Sequence, residues 1–238
     1  MNTYIVIPFK DEPEMTIRVV NQLIGEKVKF NSIYRLLLMD NGSRPESVEE
    51  VRVVTDEHDW IEIRSCPGLG IYQMWNRGIE IANADLGDRF NIGFFNNDIT
   101  LATRTVDIMA STLRSHDEVG CVYPDYDAHF SSYSPTSGSW WLKPTAGTYK
   151  DGGMCGWCFM VRGELWREGT LPLVDENLKW WFGDDFIELK VREAGYSVCR
   201  ITKLPLLHLN EATASNGENN WTHEQKGRDI AYWNATYA

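Results

Sequence analysis

An apolar segment near the middle of the chain ends on three oxygen-rich side chains. The sequence FNIGFFNNDIT spans residues 90–100, and its apolar run stops at Asn96, Asn97 and Asp98. Turn-forming residues commonly follow strands, but here the acidic residue is followed by Ile99 and not by further turn residues. The carboxylate and carboxamide groups of this segment could contact a polar ligand, and Asp98 is the strongest candidate for that contact.

The segment belongs to a repeating pattern of short apolar runs, each followed by residues at helical spacing. The runs are Tyr4 to Ile7, Tyr34 to Met39, Trp60 to Arg64 and Phe90 to Phe95. Near-continuous apolar strands that alternate with amphipathic helices are typical of a parallel sheet covered on both faces. The sequence therefore predicts an α/β fold with an open, mainly parallel, twisted sheet and helices on both faces.

In open parallel sheets, ligands bind outside the carboxyl ends of the strands. The residues at these ends are Pro8, Phe9, Lys10 and Asp11 after the first run, Asp40, Asn41 and Gly42 after the second, Cys66, Pro67 and Gly68 after the third, and Asn96, Asn97 and Asp98 after the fourth. Turn formation explains each group alone. Because parallel strands end at the same edge, we expect all four groups to meet there.

Length and charge limit the classes of protein that fit this pattern. The chain has 238 residues and a formal net charge of −11, which predicts a single domain over 1–238 and disfavours duplex nucleic acid as a partner. We predict no transmembrane segment, because no apolar run approaches the roughly 18 residues that a span needs. The absence of a signal-peptide pattern and the odd number of cysteines, five, favour a cytoplasmic protein with reduced thiols.

Two short motifs suggest other chemistry but fit it poorly. The GLG sequence at 68–70 precedes a helix, as in dinucleotide-binding proteins, but Gln73 replaces the final glycine of that motif. The CGWC sequence at 155–158 has the spacing of a redox pair or of half a zinc site, but it lacks a second CxxC and continues into an apolar run. A structural role is favoured for CGWC.

Six segments in this order resemble an inverting glycosyltransferase of family 2 with the GT-A fold. They are IVIPFKDEP, LLLMDNGS, MWNRGIEIA, FFNNDIT, LVDENLKWWFGDDFIELKVREAGY and LPLLHLN. FFNNDIT is similar to the DxD segment of the family in the asparagine-rich form of rhamnosyltransferase-like members. The resemblance runs from about Tyr4 to His208, and it implies a nucleotide-sugar-binding half over about 1–123 and an acceptor-binding half over about 124–238 with a mobile C-terminal tail.

The resemblance implies transfer of a sugar from a nucleotide diphosphate donor to a hydroxyl acceptor. The donor contacts implied are Pro8, Phe9, Lys10, Asp40, Asn41, Gly68, Asn76, Asn96, Asn97 and Asp98. Asp40 would accept a hydrogen bond from the base edge, which favours UDP or dTDP as the nucleotide. Asp98 and His208 would hold Mn²⁺ or Mg²⁺, cations that favour oxygen ligands and take part of their coordination from phosphates.

The same resemblance implies an aspartate as general base for the acceptor hydroxyl. The base is Asp184, or Asp185 if the helix begins one residue later, and Gly183 stands where the family usually has Glu. Gly153, Trp180 and Trp181 are the implied acceptor contacts. Trp75 departs from the family by standing where an arginine is common near the nucleotide.

Two other functions and several acceptors stay open at this level. A sugar-1-phosphate nucleotidyltransferase would carry a basic, glycine-rich loop after the first strand, whereas IPFKDEPE is acidic and has no glycine. A sugar-nucleotide-binding or glycan-binding protein without catalysis would need Asp40 and Asp98 but not Asp184. The acceptor itself could be a glycan, a glycolipid, a protein or a modified nucleobase.

Overall fold

The computed structural model describes residues 2–30, 34–85, 89–126, 141–144, 154–209 and 220–237. The strands in these ranges are β1 (Asn2–Phe9), β2 (Arg35–Asp40), β3 (Ile61–Ser65), β4 (Phe90–Phe95), β5 (Ile99–Leu101), β6 (Val119–Asp125), β7 (Trp141–Pro144), β8 (Cys158–Arg162) and β9 (Ser197–His208). The helices are α1 (Pro13–Phe30), α2 (Pro45–Thr55), α3 (Ile71–Asp85), α4 (Thr105–Ser115), α5 (Glu164–Arg167), α6 (Gly183–Glu193) and α7 (Asn220–Thr236).

The described strands form one sheet in the order β3-β2-β1-β4-β8-β6-β9-β5, and β7 pairs with β9. Strands β1 to β4 run parallel, β8 runs antiparallel to its neighbours β4 and β6, and β6 runs parallel to β9. The carboxyl ends of the first four strands therefore lie at one edge, which confirms the mainly parallel α/β sheet predicted from the apolar runs.

Helices cover both faces of the sheet, because successive strand residues point to opposite sides. In β1, Tyr4 and Val6 pack into one apolar core with α3, α5, α6 and α7. Ile5 and Ile7 pack into a second core with α1, α2 and α4. The two cores lie on opposite faces of the sheet, and every residue of its central strand β4 is buried.

The sequence did not predict β5, β7 or α7. Strand β5 has only three residues, which is too short to show a period, and it forms because β9 lies beside it. Residues 127–140, 145–153 and 210–219 lie outside the described residues. The polar segment over 210–220, which is the part of the C-terminal tail predicted to be mobile, therefore lies almost wholly outside them. Helix α7 begins at Asn220, where that segment ends.

Among the residues that the structure describes, no helix is both long enough and apolar enough to cross a lipid bilayer.

Candidate active site

A cavity of about 410 Å³ lies at the carboxyl ends of β1, β2 and β4. Twelve of the residues singled out in the sequence line it: Pro8, Phe9, Lys10, Asn41, Asn96, Asn97, Asp98, Trp180, Trp181, Asp184, Asp185 and His208. The structure thus brings the predicted donor, metal, catalytic and acceptor residues to one space. Asp40, Gly68 and Asn76 do not line it.

The pairing of β5 with β9 places Asp98 beside His208. Ile99 is opposite His208 in the ladder, and the backbone N–H of Leu209 donates to the backbone carbonyl of Asp98 at 3.0 Å. Oδ2 of Asp98 lies 3.1 Å from Nε2 of His208. Two side chains far apart in the sequence are therefore held together by backbone geometry.

Asp98 has the environment of a cation ligand. Its side chain is 2% exposed. Nε2 of His208 is close to Oδ2, but the angles of that contact are not those of a hydrogen bond, and neither carboxylate oxygen accepts one from any residue in the described part of the chain. A buried carboxylate without donors is costly unless a positive charge compensates it. Asp98 and His208 would supply two ligands to a divalent cation. The described residues contain no group of three or more such ligands, so phosphate or water oxygens would have to complete the coordination.

The ring of His208 is fixed by stacking on Trp157. The two ring centroids are 4.2 Å apart and the planes are inclined by only 8°. Trp157 is the third residue of CGWC, a turn that leads into β8. Neither cysteine of this motif is in a disulfide bond, and burial raises the pKa of the Cys158 thiol well above its ordinary value. The motif presents an aromatic ring to the cavity.

The acidic pair stands at the first turn of α6, where the helix dipole favours negative charge. Phe182 has a positive φ of 73° and turns the chain into the helix at Gly183. A Cβ on Gly183 would lie 2.0 Å from Cε1 of Tyr72, a residue of α3. The tyrosine ring therefore leaves no room at this position for the glutamate that the resemblance implies.

The two carboxyls of the pair have different surroundings. Burial raises the pKa of Asp184, and the backbone N–H groups of Asp184, Asp185 and Gly156 oppose that rise by hydrogen bonding to the charged form. Burial also raises the pKa of Asp185, and the nearby carboxylates of Asp184 and Glu188 raise it further. Asp184 is therefore the carboxyl that ionises more readily.

Asp40 and Gly68 stabilise the loops beside the cavity. Asp40 is buried and its Oδ1 accepts from the backbone N–H of Ser43 at 2.8 Å. The backbone N–H of Gly68 donates to Oδ1 of Asn41 at 3.0 Å, which links the loop after β3 to the loop after β2. Of these residues only Asn41 reaches the cavity. Asp40 and Gly68 do not line the cavity, and their contact with a nucleotide stays a prediction.

Asn76 has a structural role that the sequence did not indicate. Its Nδ2 donates to the carbonyl oxygen of Val174 at 2.8 Å, and its Oδ1 accepts from the N–H of Val174 at 2.8 Å. Nδ2 also lies 3.2 Å from Oε1 of Glu176. Because both ends of this buried amide are bound to residues 174–176, the expectation of a nucleotide contact by Asn76 is corrected here. It holds the segment before α6 against α3.

Gly153 lies outside the described residues, so its predicted acceptor contact is not located. Cavity residues that the sequence reasoning missed are Ile71, Tyr72, Met74, Trp75, Gly156, Trp157 and Phe182. Met74 and Trp75 belong to the face of α3 that packs into the core, so their helical spacing gives no sign of a cavity wall. The sequence signal for Trp157 is its place between the two cysteines of CGWC.

Comparison with known proteins gives a family and a fold. The family model described as Glycosyl transferase family 2 matches residues 4–166. Comparison with curated protein sequences found no match.

Several solved structures share the fold at low sequence identity. GalNAc-T7, crystallised with UDP, GalNAc and Mn²⁺, is 16% identical with a TM-score of 0.65, and the match covers 87% of this chain and 44% of that one. The mannosyltransferase PcManGT from Pyrobaculum calidifontis, in complex with GDP-Man and Mn²⁺, is 15% identical with a TM-score of 0.64, covering 95% of this chain and 60% of that one. Glucosyl-3-phosphoglycerate synthase from Mycobacterium tuberculosis, in complex with Mn²⁺, UDP and glucosyl-3-phosphoglycerate, is 12% identical with a TM-score of 0.63, covering 97% and 77%.

This chain thus spans less than two thirds of the length of the first and second of these proteins. The expected Rossmann-like GT-A fold is confirmed by the agreement of all three structures with it. The family model covers more than half of the chain and includes the segments that end at the cavity through Asp98. The chain belongs to glycosyl transferase family 2.

Proposed function

We propose that this protein is a metal-dependent, inverting glycosyltransferase that moves a sugar from a nucleotide diphosphate donor to a hydroxyl group of an acceptor. One observation carries the proposal. A buried carboxylate without hydrogen-bond donors, Asp98, lies beside His208 and faces the same cavity as the acidic pair Asp184 and Asp185. A cation-binding pair and a base on one cavity are the two groups that this transfer requires.

The metal role rests on the charge of the leaving group. A divalent cation held by Asp98 and His208 would neutralise the negative charge that develops on the departing diphosphate. Lys10 lines the same cavity and would add a second positive charge near the phosphates. Mn²⁺ suits the imidazole ligand better than Mg²⁺, and Mn²⁺ is the cation bound in the three solved structures named above.

Asp184 is the proposed general base. A base must begin the reaction ionised, and three backbone N–H groups stabilise the charged form of Asp184. Asp185, whose pKa is raised by burial and by two neighbouring carboxylates, remains protonated to higher pH. Asp184 would take the proton of the acceptor hydroxyl while that oxygen attacks the anomeric carbon from the face opposite the diphosphate, which inverts the configuration.

The aromatic wall of the cavity supports a sugar as acceptor. Trp157, Trp180 and Trp181 line it together with Phe182. Flat aromatic faces pack against sugar rings and exclude water, which would limit loss of the donor by hydrolysis. A glycan or glycolipid acceptor fits this wall best. A protein or a modified nucleobase, and a cytoplasmic location, remain predictions from the sequence.

The donor base is proposed from the resemblance, which favours UDP or dTDP. A rhamnosyltransferase-like specificity is proposed on the same ground, from the Asn96, Asn97 and Asp98 segment. Since one of the comparison structures contains GDP-Man, the donor screen should include GDP-mannose beside UDP- and dTDP-sugars.

Nucleotide binding with and without Mn²⁺ tests the metal site. We expect calorimetry to show that Mn²⁺ strengthens the binding of UDP, dTDP or GDP to the protein, and that Asp98→Ala weakens this binding by about 100-fold, because an anchoring ligand is lost. Asp56→Ala, which removes an exposed carboxylate after α2, is the matched control and should leave the affinity unchanged. Unchanged affinity in Asp98→Ala would remove the metal role.

The products separate the competing functions. A transferase releases the nucleoside diphosphate and forms a new glycoside, which chromatography of the reaction with p-nitrophenyl glycosides detects. A nucleotidyltransferase would instead convert a sugar 1-phosphate and a nucleoside triphosphate into a nucleotide-sugar and pyrophosphate. A binding protein would bind the donor and leave it intact.

A further inference from the structure

Residues 180–182 form the part of the cavity wall that precedes the acidic pair, and Lys179 comes directly before them. Trp180 and Trp181 line the cavity, and Phe182 follows with a positive φ before α6 begins. Residues 179–181 are neither helix nor strand, so the regular hydrogen bonds of a helix or a sheet do not fix their position. Their position must be set by another part of the chain.

The partner is a carboxylate of the C-terminal helix α7. Asp229 is 1% exposed, and its Oδ2 accepts from the backbone N–H groups of Lys179 at 3.2 Å, Trp180 at 2.9 Å and Trp181 at 3.1 Å. Three successive backbone N–H groups around one oxygen form an anion-binding concavity of the kind called a nest. Hydrogen bonds to a charged acceptor are about twice as strong as neutral ones.

Asp229 is itself oriented within α7. Nε2 of Gln225, one helical turn earlier, donates to Oδ1 of Asp229 at 2.8 Å. Nζ of Lys226 lies 5.9 Å from the ring centroid of Trp181. The helix therefore contacts both the backbone and a side chain of the cavity wall.

Further contacts hold α7 on either side of this nest. The hydroxyl groups of Tyr232 and Tyr237 donate to Oδ2 of Asp175 at 2.8 Å and 2.6 Å. The ring of Trp233 stacks on Phe182 with centroids 5.2 Å apart and an interplanar angle of 15°. The segment from Asp175 to Phe182 is thus attached to α7 at its start, at the nest and at its end.

We infer that Asp229 is a positioning residue for the acceptor side of the site, which holds Trp180 and Trp181 where an acceptor sugar would stack. The inference rests on the proposed transferase function. It concerns a helix beyond residue 166, where the match to the family model ends. Asp229 acts through the wall and does not itself line the cavity.

The positioning role predicts an effect confined to the acceptor. Loss of the carboxylate should release the backbone of 179–181 and misplace the two indole rings. Asp98, His208 and Lys10 are positioned by β4, β9 and β1 and not by residues 179–181. We therefore expect the affinity for the donor to stay unchanged. A role in stability alone would lower the melting temperature and leave the kinetic constants of the folded enzyme unaltered.

Hydrogen exchange and kinetics of Asp229→Asn test the inference. Asparagine has nearly the same shape as aspartate, but it lacks the negative charge and would present an N–H group to the backbone N–H groups of 179–181. We expect amide exchange at 179–181 to accelerate by at least about tenfold, KM for an accepted p-nitrophenyl glycoside to rise by about tenfold, and the affinity for nucleoside diphosphate with Mn²⁺ to stay at the wild-type value. Gln225→Ala, which removes only the hydrogen bond that orients Asp229, should show the same changes to a smaller degree even if Asp229→Asn fails to fold.

Glu224→Gln on the exposed side of α7 is the matched control, since Glu224 pairs only with the exposed Arg228 among the contacts described for it. It should leave exchange and kinetics unchanged. Wild-type exchange rates at 179–181 in both Asp229→Asn and Gln225→Ala would overturn the inference, whether or not the enzyme transfers sugar. Accelerated exchange with an unchanged acceptor KM would also overturn it. A third outcome is that the amides of 179–181 exchange slowly in the wild type but the protein transfers sugar to no acceptor. That outcome would overturn the proposed function, and the acceptor role of Asp229 with it.

Discussion

At the scale of single residues, the acidic pair at the start of α6 shows how neighbouring carboxylates acquire different properties. Asp184 and Asp185 are adjacent in sequence, and both line the cavity. Only Asp184 has three backbone N–H groups that stabilise its charged form. In the proposed mechanism, the choice of the base therefore depends on hydrogen bonds made by the backbone and not on the residue type.

Asparagine substitutions in the pair identify the base. We expect Asp184→Asn to lower kcat by about 10²-fold to 10⁴-fold, because the acceptor hydroxyl loses its proton acceptor, and to leave the affinity for nucleoside diphosphate with Mn²⁺ unchanged. Asp185→Asn should retain most of the turnover. Steady-state kinetics together with calorimetry on both variants measure these quantities.

The reverse result has a definite meaning. If Asp185→Asn were inactive and Asp184→Asn retained near-native turnover, Asp185 would be the base and Asp184 a helix-capping residue. If both variants were fully active, no carboxylate of this helix would be the base.

At the scale of elements, the approach of α3 to α6 decides which residue can stand before the acidic pair. The ring of Tyr72 fills the space that a side chain at Gly183 would need. Tyr72 is buried, and burial raises the pKa of its hydroxyl well above the ordinary value. The start of α6 is therefore set by packing against another helix and not by a capping side chain, since Phe182 makes no such hydrogen bond.

Two glycine-to-alanine substitutions test this packing. Gly183→Ala would place its Cβ 2.0 Å from the ring of Tyr72, and we expect a loss of about 2 kcal/mol in the free energy of unfolding from overpacking. Gly25→Ala in α1 is the matched control, because no atom lies within 4 Å of its Cβ position. Its free energy of unfolding should rise by up to about 1 kcal/mol, because alanine has a higher helix propensity than glycine.

Urea unfolding of the two variants measures the difference. Equal stabilities for Gly183→Ala and Gly25→Ala would mean that α6 moves freely away from α3. In that case the acidic pair would not be fixed relative to the cavity.

At the scale of the whole molecule, one buried carboxyl joins two helices on the face opposite the acidic pair. Oε1 of Glu26 in α1 accepts from the backbone N–H of Val106 at 3.1 Å and of Asp107 at 3.4 Å, at the start of α4. Arg104, the residue before α4, makes no side-chain cap. Glu26 therefore serves as a cap supplied by another helix.

The ionisation of Glu26 makes global stability depend on pH. Burial raises its pKa from 4.5 to about 7, so the folded protein holds the proton more tightly than the unfolded chain. Between these two pH values the unfolded chain binds fewer protons, and the free energy of unfolding must fall as the pH rises. The change from 4.5 to about 7 corresponds to roughly 3 kcal/mol, lost in full above pH 7.

Glu26→Gln should remove this pH dependence of the free energy of unfolding. We expect the variant to gain stability relative to the wild type as the pH rises from 5 to 8, by up to about 3 kcal/mol, in urea unfolding measured across that range. Glu50→Gln, at an exposed position of α2, should follow the wild-type curve. Parallel curves for Glu26→Gln and the wild type would show that the carboxyl is not buried in the folded protein.

The parts of this molecule that the sequence predicted are those governed by local patterns. The apolar runs predicted β1 to β4 and the helices between them, because burial on both faces requires continuous apolar strands. The polar residues after those runs were placed at one edge, and the cavity does lie there, with Asp98, Asn96 and Asn41 on its wall. The resemblance to family 2 was confirmed over residues 4–166, which contain the first four of the six segments.

The parts that the sequence did not predict depend on contacts between distant residues. Strand β5 exists because β9 pairs with it, and this pairing alone brings His208 to Asp98. Asn76 was expected at the nucleotide but is bound by the segment that reaches it from residues 174–176.

The sequence by itself thus determined the α/β sheet, the edge at which its ligand site lies and the residue types available there, because these follow from periodicity and from strand direction. Only the tertiary structure decided which buried carboxylate lacks hydrogen-bond donors and which position must be glycine because a tyrosine ring fills the space beside it. It also decided which helix holds the backbone of Trp180 and Trp181. The physical reason is that burial and hydrogen bonding are properties of surroundings, and for Asp98, Gly183 and Asp229 those surroundings come from chain segments that no local pattern connects.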